Sequence, residues 1–239
     1  ADRKPPAMES LEAELARARD LDVDALAAAI ESIGFECTRC GACCKAETCG
    51  DDGASEPHTA TVFPDEVRRL QAAATDRFEA EYDWRDVARP MPYGIDDDDP
   101  DGPTGETFEW AIATDDCGDC TFYHEGDGDE PGACAVHDDR PLVCRTYPFS
   151  VALGGTSQPM GKAVDREGLV RAHECEGLGR DVDPEDARAL AAALKERAVR
   201  DLEEAIAVRD GYEPVDAADE RVVVHDSEGA KRADGSPYR

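Results

Sequence analysis

Lysine, aromatic residues and long apolar runs are all scarce in this chain, and each shortage excludes something. Five of the 26 basic residues are lysines, and aromatic residues make up 6% of the 239 positions. The chain is long enough to form a core, but with so few aromatic side chains that core must be modest. No apolar run approaches the ~20 residues of a membrane-spanning helix, and the polar start, residues 1–6, lacks the apolar segment of a secretory signal. We therefore expect a cytoplasmic protein without a membrane partner.

The charge of the chain is strongly one-sided. Aspartate and glutamate number 56, which gives a formal net charge of −30 at pH 7, and they are spread along the chain rather than gathered in one tail. Concentrated salt screens such repulsion, and hydrated carboxylates keep a protein in solution. The composition is similar to that of haloarchaeal proteins and favours a halophilic, archaeal protein. The alternative is an acidic protein of an ordinary cytosol, with strong repulsion between like charges.

Helices are predicted from the spacing of apolar residues and from capping residues. The predicted segments are residues 9–33, with a break at 21–24 and an end at Gly34; residues 65–74, with Pro64 at the first helical position; residues 76–88; and a long helix from Asp183 and Pro184 to about Arg209.

Short strands and loops are predicted between these helices. Alternating apolar residues favour strands over residues 59–63 and 106–113, the latter with Phe108, Trp110 and Ile112 on one side. A hairpin is predicted from residues 150–153, through two glycines, to residues 158–164. The acidic residues 90–105 are interpreted as a solvated surface insert rather than a cation site.

Together these patterns predict an α+β fold: a small cysteine-rich domain of short strands and knuckles, flanked by N- and C-terminal helices. The expected division is a helical segment over residues 1–34, a cysteine-cluster domain over 35–178, a helix over 179–212 and a tail over 213–239. The basic end of that tail, residues 231–239, is expected to be disordered.

Ten cysteines are the main functional signal in the sequence. Cys37, Cys40 and Cys43 repeat the C-x-x-C spacing, which lets two thiolates converge on one metal ion, and Gly41 gives the turn the freedom it needs. In a reducing compartment this spacing favours a metal over structural disulfides. Because adjacent side chains diverge, Cys43 and Cys44 are not expected to bind the same ion. One of the two is then a ligand of a second metal or of a neighbouring iron, or it is a buried or redox-active thiol; the sequence does not select which.

Basic residues accompany the cysteines although the chain as a whole is acidic. Four thiolates cannot be gathered at neutral pH without cations, and Arg39, Lys45, Arg140 and Arg145 lie within a few residues of cysteines. Arg140 and Arg145 are candidate residues for binding an anionic cofactor. The alternative is that they offset thiolate charge and tie loops together by hydrogen bonds.

The order of the motif residues resembles the CxxCxxCC family, also called the YkgJ-type family of zinc- or iron-chelating proteins. The resemblance covers about residues 35–178 and rests on C-x-x-C-G-x-C-C, then C-x-F, then G-x-C-x-x-H-x-x-R-P-x-x-C-R-x-Y-P-F and a late cysteine. The matching positions are Cys37, Cys40, Gly41, Cys43, Cys44, Cys120, Phe122, Gly132, Cys134, His137, Arg140, Pro141, Cys144, Arg145, Tyr147, Pro148, Phe149 and Cys175.

The resemblance implies a metal centre held by clustered cysteines. The predicted ligands are Cys37, Cys40, Cys43, Cys44, Cys120, Cys134, Cys144 and Cys175. The predicted cofactor is an iron–sulfur cluster, with 4Fe-4S favoured, or zinc, and a redox or accessory role is expected. Two alternatives stay open: a structural zinc module for protein interaction, and a cluster-dependent enzyme, since flagellin lysine N-methylases carry a similar motif and electron transfer is another such activity. No catalytic residue is assigned.

Several residues remain outside the predicted site. Cys49 and Cys117 have no place in the family pattern. His137 is expected to pack beside the site rather than bind metal, His173 is a further possible zinc ligand, and His58, His124 and His225 are expected to be ordinary surface or loop histidines. An unidentified protein partner is expected, nucleic acid is not expected except through the 231–239 tail, and the sequence assigns no oligomeric state.

Overall fold

The computed structural model describes residues 9–49, 54–127, 130–154, 156, 162–165, 168–215 and 221–238. The helices of this part of the chain are α1 Leu11–Arg19, α2 Val23–Ile33, α3 Pro64–Phe78, α4 Trp84–Val87, α5 Leu142–Thr146 and α6 Pro184–Gly211. Its strands are β1 Glu47–Cys49, β2 Ala54–Glu56, β3 Thr61–Val62, β4 Ala88–Pro90, β5 Ile95–Asp96, β6 Thr104–Thr107, β7 Trp110–Ile112, β8 Tyr123–His124, β9 Ala133–Cys134, β10 Phe149–Val151, β11 Ala163–Asp165, β12 Val170–His173, β13 Val222–Asp226 and β14 Gly229–Arg232. The α+β class and the helices toward both ends are confirmed.

The first hydrophobic core lies between the terminal helices and one sheet. Helices α1, α2 and α6 pack against strands in the order β10-β12-β11, and Ile30, Phe149 and Leu194 are fully buried there. The predicted break between α1 and α2 is confirmed, because an Asp22 carboxylate oxygen accepts hydrogen bonds from two backbone N–H groups of the first turn of α2. Gly34 ends α2 with φ 77°, as predicted.

The second core lies beside the cysteine loops. Strands in the order β3-β7-β4 pack with α3 and α4, and Trp110 and Phe122 are each 1% exposed. The predicted proline start of α3 is confirmed, since Pro64 is its first residue. Because four cysteines also pack against this cluster (Cys44, Cys120, Cys134 and Cys144), the core forms the floor of the predicted site.

Helix α6 connects the two cores. It has 28 residues, which corresponds to a length of about 42 Å, and it contacts α1, α2 and α5. Its predicted start is confirmed: Pro184 is the first helical residue, and a carboxylate oxygen of Asp183 accepts the Glu185 N–H at 2.9 Å. No helix in the described ranges has both the length and the apolar character to cross a bilayer.

Two predicted elements are interrupted. The helix expected over residues 76–88 is wrong, because α3 ends at Phe78, Glu79 adopts a left-handed φ of 51°, and Asp83 caps the short α4. The single strand expected over residues 106–113 is also wrong. Strand β6 and strand β7 belong to different sheets, and Phe108, at the crossing between them, is 47% exposed while Trp110 is buried.

The predicted hairpin over residues 150–164 is wrong as well. Strand β10 pairs with β12, and β11 pairs with the other edge of β12, so the two expected partners are not neighbours. Strand β12 occupies the centre of this sheet because its Val170 and Ala172 side chains are buried in the first core. Gly155 and residues 157–161 of the expected hairpin lie outside the described residues.

The expected disorder of residues 231–239 is wrong for residues 231–238. Strands β13 and β14 form an antiparallel pair, and β13 also pairs in parallel with β6. Lys231 is 5% exposed, and its Nζ lies 2.7 Å from a carboxylate oxygen of Asp226 and 2.7 Å from one of Glu228. Lys231, one of the basic residues on which the tail prediction depended, is therefore a buried structural cation.

Candidate metal centre

The first cysteine loop turns at Gly41. Gly41 has φ 78°, and an added Cβ there would lie 2.0 Å from the Tyr123 hydroxyl, so both the backbone and the space favour glycine. A 3₁₀ turn over Ala42–Cys44 follows, closed by the Cys44 N–H to the Gly41 carbonyl at 2.8 Å. The turn brings the sulfurs of Cys43 and Cys44 within 3.9 Å of each other. The expected divergence of these two side chains is therefore wrong.

Backbone hydrogen bonds attach the next cysteine to this loop. The N–H of Cys120 donates to the Cys44 carbonyl at 2.8 Å, and a carboxylate oxygen of Asp119 accepts the Ala46 N–H at 2.7 Å. A carboxylate of Asp115 also accepts two N–H groups of the turn before Cys120. These hydrogen bonds hold Cys120 at the base of the loop, where the residue is 7% exposed.

Cys134 is positioned by a two-stranded ladder. Tyr123 of β8 pairs with Cys134 of β9, and the following Ala135 N–H donates to the Phe122 carbonyl at 2.9 Å. The Tyr123 ring also covers Gly132 and Gly41, where added Cβ atoms would lie 2.4 and 2.0 Å from its hydroxyl. One aromatic residue therefore fixes the distance between the first loop and the Cys134 hairpin.

Two buried charged residues, which the sequence reasoning missed, hold the short helix that carries Cys144. One carboxylate oxygen of Glu66 accepts the Leu142 N–H at 3.0 Å, at the start of α5. At its end, an Arg197 guanidinium nitrogen donates to the Thr146 hydroxyl at 3.0 Å, and that hydroxyl donates to the Leu142 carbonyl at 2.7 Å. Glu66 is fully buried and Arg197 is 2% exposed, so α5 is held at both ends by desolvated side chains.

The sequence does contain an indication of the roles of Glu66 and Arg197. Glu66 is the third residue of α3, which begins at Pro64. A carboxylate at this position often caps its own helix, and the second oxygen of Glu66 does accept the Phe63 N–H at 3.2 Å. Arg197 and Asp201 interrupt the apolar stripe of α6 at i, i+4 spacing, with 3.7 Å between nitrogen and oxygen. Charged residues on an apolar face are informative because their burial requires partners.

The last cysteine reaches the first loop through a contact between distant segments. Phe35 forms an isolated bridge with Leu178, and the Glu36 N–H donates to the Gly177 carbonyl at 3.1 Å. Within the same turn, the Gly177 N–H lies 3.4 Å from the Cys175 sulfur. The loop that holds Cys175 is thus tied to the residues directly before Cys37.

The thiols gather around Cys43. This thiol lies close enough to Cys120, Cys134, Cys144 and Cys175 to raise the pKa of each. Burial is the largest cause for all four and raises the pKa of Cys120 to about 12. The contact with Cys44 raises the pKa of Cys43 itself. Without a metal these thiols are therefore kept protonated at neutral pH.

The same interactions divide the thiols into two sets that overlap at Cys43. The inner set is Cys43, Cys120, Cys134 and Cys144, of which the last three pack in the second core. The outer set is Cys37, Cys40, Cys43 and Cys175, since the first three all raise the pKa of Cys175. The structure therefore brings together every predicted ligand, with Cys44 in contact with Cys43.

The chemistry of this donor set fits a thiophilic metal. All nine cysteines whose side chains are described are free, so none of these thiols is lost to a disulfide among them. Soft thiolates select zinc and iron–sulfur clusters. Within the described ranges, no three histidine, cysteine, aspartate or glutamate side chains are arranged to hold one ion. The thiols are gathered but not closed on a single point, and binding requires adjustment of exposed side chains such as Cys43.

The two predicted arginines differ. Arg140 donates from Nε to the His137 carbonyl at 2.8 Å and lowers the pKa of Cys43, Cys134 and Cys144, so it lies at the site and favours thiolates. Arg145 is exposed on α5. Its side chain makes no hydrogen bond or ion pair with any residue that the structure describes. Its cofactor role stays a prediction.

The remaining histidines and cysteines lie apart from a shared site. His137 is exposed beside Asp138, and His173 is buried with its Nε2 3.0 Å from the Ser150 hydroxyl. The prediction of surface or loop positions is wrong for His225, which lies in β13 and is 2% exposed. His58 lies in a loop, although it is 4% exposed, and His124 is exposed as expected. Cys117 is exposed, and the side chain of Cys49 lies outside the described residues.

The chain matches the model of a known protein family. The model of the CxxCxxCC family, described as "Putative zinc- or iron-chelating domain", matches residues 36–176. That range contains every one of the eight cysteines that the motif selected. Searches of curated proteins and of solved structures gave no significant match.

Proposed function

Since the chain belongs to the CxxCxxCC family, whose model describes a zinc- or iron-chelating domain, we propose that its gathered thiols hold an iron–sulfur cluster, with 4Fe-4S the favoured type, rather than zinc. The observation that supports a shared centre is the position of Cys43, which affects the pKa of thiols from four other segments. The proposed function is a metal-binding protein with a redox or accessory role.

The spread of the thiols favours a cluster over one structural zinc ion. The two overlapping sets around Cys43 contain seven thiols, and Cys44 lies 3.9 Å from Cys43, but no three of the described side chains are arranged to hold one ion. A zinc ion and a 4Fe-4S cluster each take four ligands, but the four thiolates of a cluster bind different iron atoms and are therefore spread over a wider volume. When bound, the cluster supplies one-electron chemistry. The residues of the chain supply the thiolates, and Arg140 offsets part of their charge.

Burial of the inner set also supports a role for protein residues in tuning the centre. Cys120 is almost fully buried beside Phe122 and Val136 of the second core, and a cluster's potential depends on burial and on hydrogen bonds to its sulfurs. In the outer set, Cys37, Cys40 and Cys43 are exposed and Cys175 is partly buried. We propose that the outer side is the one from which an electron partner approaches.

The test is the content of iron, zinc and acid-labile sulfide in protein purified without oxygen, with a visible absorption spectrum of the same sample. Iron and sulfide in equal amounts, about four of each per chain, together with a broad visible band, are expected for one cubane cluster. Zinc without sulfide would overturn the cluster and support the structural zinc module.

Two serine variants sharpen this test. Cys144→Ser removes a thiol of the inner set, and we expect the metal content to fall by more than half. Cys117→Ser removes an exposed thiol outside both sets and is the matched control, with unchanged metal expected. Equal metal content in the two variants, or neither metal in the wild-type protein, would contradict the proposed site.

A further inference from the structure

A second site is indicated by a cavity beside the C-terminal half of α6. The cavity has a volume of about 610 Å³, which is within the range that encloses small-molecule ligands. Its walls come from β6, β7, β13 and the end of α6, and they are mostly apolar. None of the predicted metal ligands lines it.

The polar lining of this cavity is strongly acidic. Four carboxylates face it, those of Glu109, Asp201, Glu204 and Asp226, against one guanidinium, that of Arg209. Arg209 is already engaged, because its Nη2 lies 2.6 Å from a Glu12 oxygen and its Nε lies 2.8 Å from an Asp210 oxygen. The cavity therefore presents an excess of negative charge to any occupant.

Three of the four carboxylates have protein partners and one does not. Asp201 pairs with Arg197, Glu204 accepts the Ser227 N–H at 2.8 Å, and Asp226 accepts from the Trp110 indole and from Lys231. Glu109 has no hydrogen bond or ion pair from its side chain to any residue in the described ranges. Burial, followed by the charges of Asp201 and Glu204, raises the pKa of Glu109. The charge of Arg197 acts in the opposite direction on Glu109, but that guanidinium is paired with Asp201 and donates to the Thr146 hydroxyl. Glu109 is therefore a partly buried carboxylate that has no cation bound directly to it.

Aromatic rings form another part of the cavity wall. The rings of Phe108 and Tyr212 lie 5.9 Å apart at 50° to each other, and His225 packs behind both of them. The Tyr212 hydroxyl lies 3.1 Å from a carboxylate oxygen of Glu106, which fixes the ring. Both rings are among the most exposed large hydrophobic side chains in the described residues, so their faces are available to a ligand. Ring faces attract cations through their quadrupole.

We propose that this cavity binds a primary alkylammonium group, with its charge at Glu109 and its hydrocarbon body against Phe108 and Tyr212. An acidic lining selects a cation, and the apolar and aromatic walls select one that carries hydrocarbon rather than a hydrated metal ion. A carboxylate without a partner gives the ammonium group its hydrogen-bond acceptor. The ligand is a free alkylamine or the side chain of a lysine residue, since both present the same group.

The binding test is calorimetric titration of the full-length protein in an amine-free buffer of low ionic strength. Hexylamine represents a free amine, Nα-acetyl-lysine methylamide represents a lysine residue, and hexanol has the same hydrocarbon length without charge. We expect at least one of the two ammonium compounds to bind with a Kd about tenfold or more below that of hexanol, the ratio that one charge-assisted hydrogen bond gives. Which of them binds identifies the source of the ligand.

Variants place the binding in this cavity. Glu109→Gln removes the carboxylate charge with little change of shape, and we expect it to weaken ammonium binding about tenfold while hexanol is unaffected. Tyr212→Leu keeps apolar volume but removes the ring face, and we expect a smaller loss. Glu31→Gln, at an exposed position of α2, is the matched control. Equal binding of the ammonium compounds and hexanol, no binding, or no effect of Glu109→Gln in a folded variant would overturn the proposal.

Discussion

Replacing Glu66 with alanine removes the acceptor of two buried backbone N–H groups. Its carboxylate accepts from Leu142 at 3.0 Å and from Phe63 at 3.2 Å, and these two residues are 2% and 6% exposed. Each N–H left without a partner in such a place costs about 1–3 kcal/mol. We therefore expect Glu66→Ala to lower the free energy of unfolding by about 4 kcal/mol, a large part of a typical stability of about 5–15 kcal/mol.

The expected loss is measured by urea unfolding of the metal-free protein, with metal content as a second readout. Because Leu142 begins the helix that carries Cys144, the alanine variant should also retain less metal. Glu66→Gln keeps one carbonyl acceptor and removes a carboxyl group whose pKa is raised by burial. We expect this variant to lower the free energy of unfolding by about 1 kcal/mol. Glu31→Ala, an exposed glutamate of α2, is the control. A loss below about 1 kcal/mol for Glu66→Ala, or one equal to that of the control, would refute the reasoning.

Two further predictions concern His58 and Gly41. Burial, helped by the charge of Arg89, lowers the pKa of His58 to about 4 from an unfolded value of about 6.5. Between these two values the unfolded state binds a proton that the folded state does not. The free energy of unfolding therefore includes about 3 kcal/mol above pH 6.5 that is lost as the pH falls through 4. Urea unfolding at pH 7 and pH 4 should show a smaller pH dependence for His58→Asn than for the wild type; equal dependence would contradict the prediction. Gly41→Ala places a Cβ 2.0 Å from the Tyr123 hydroxyl at φ 78°, and we expect a loss of at least ~1 kcal/mol together with reduced metal content; unchanged metal would show that the turn adapts.

The parts that the sequence predicted well are those set by neighbouring residues. The break at Asp22, the end at Gly34 and the starts at Pro64 and Pro184 depend on capping chemistry within one turn of helix, and all four are confirmed. The thiols of the motif were selected in the same way, from local spacing and the resemblance. Their individual ligand roles stay predictions.

The parts that failed depend on partners far along the chain. Nothing near Glu66 indicates that its acceptor role concerns Leu142, 76 positions later. The hairpin prediction failed because β12, which follows the expected loop, competes successfully for the edge of β10. The divergence expected for Cys43 and Cys44 failed because the 3₁₀ turn rotates both sulfurs to one side. Long-range pairing of this kind is decided by burial in the whole fold rather than by local propensity.

The parallel pairing of β13 with β6 has a consequence for the order of events during synthesis. Val222 pairs with Gly105, so this contact closes a very long stretch of chain, and such contacts form late because loop closure must precede them. All cysteines of the family motif, through Cys175, leave the ribosome before β13 does. A nascent chain could therefore load its metal while the acidic cavity, which needs Asp226 of β13, is still open. Maturation of the thiol centre would then precede the ability to hold an ammonium ligand.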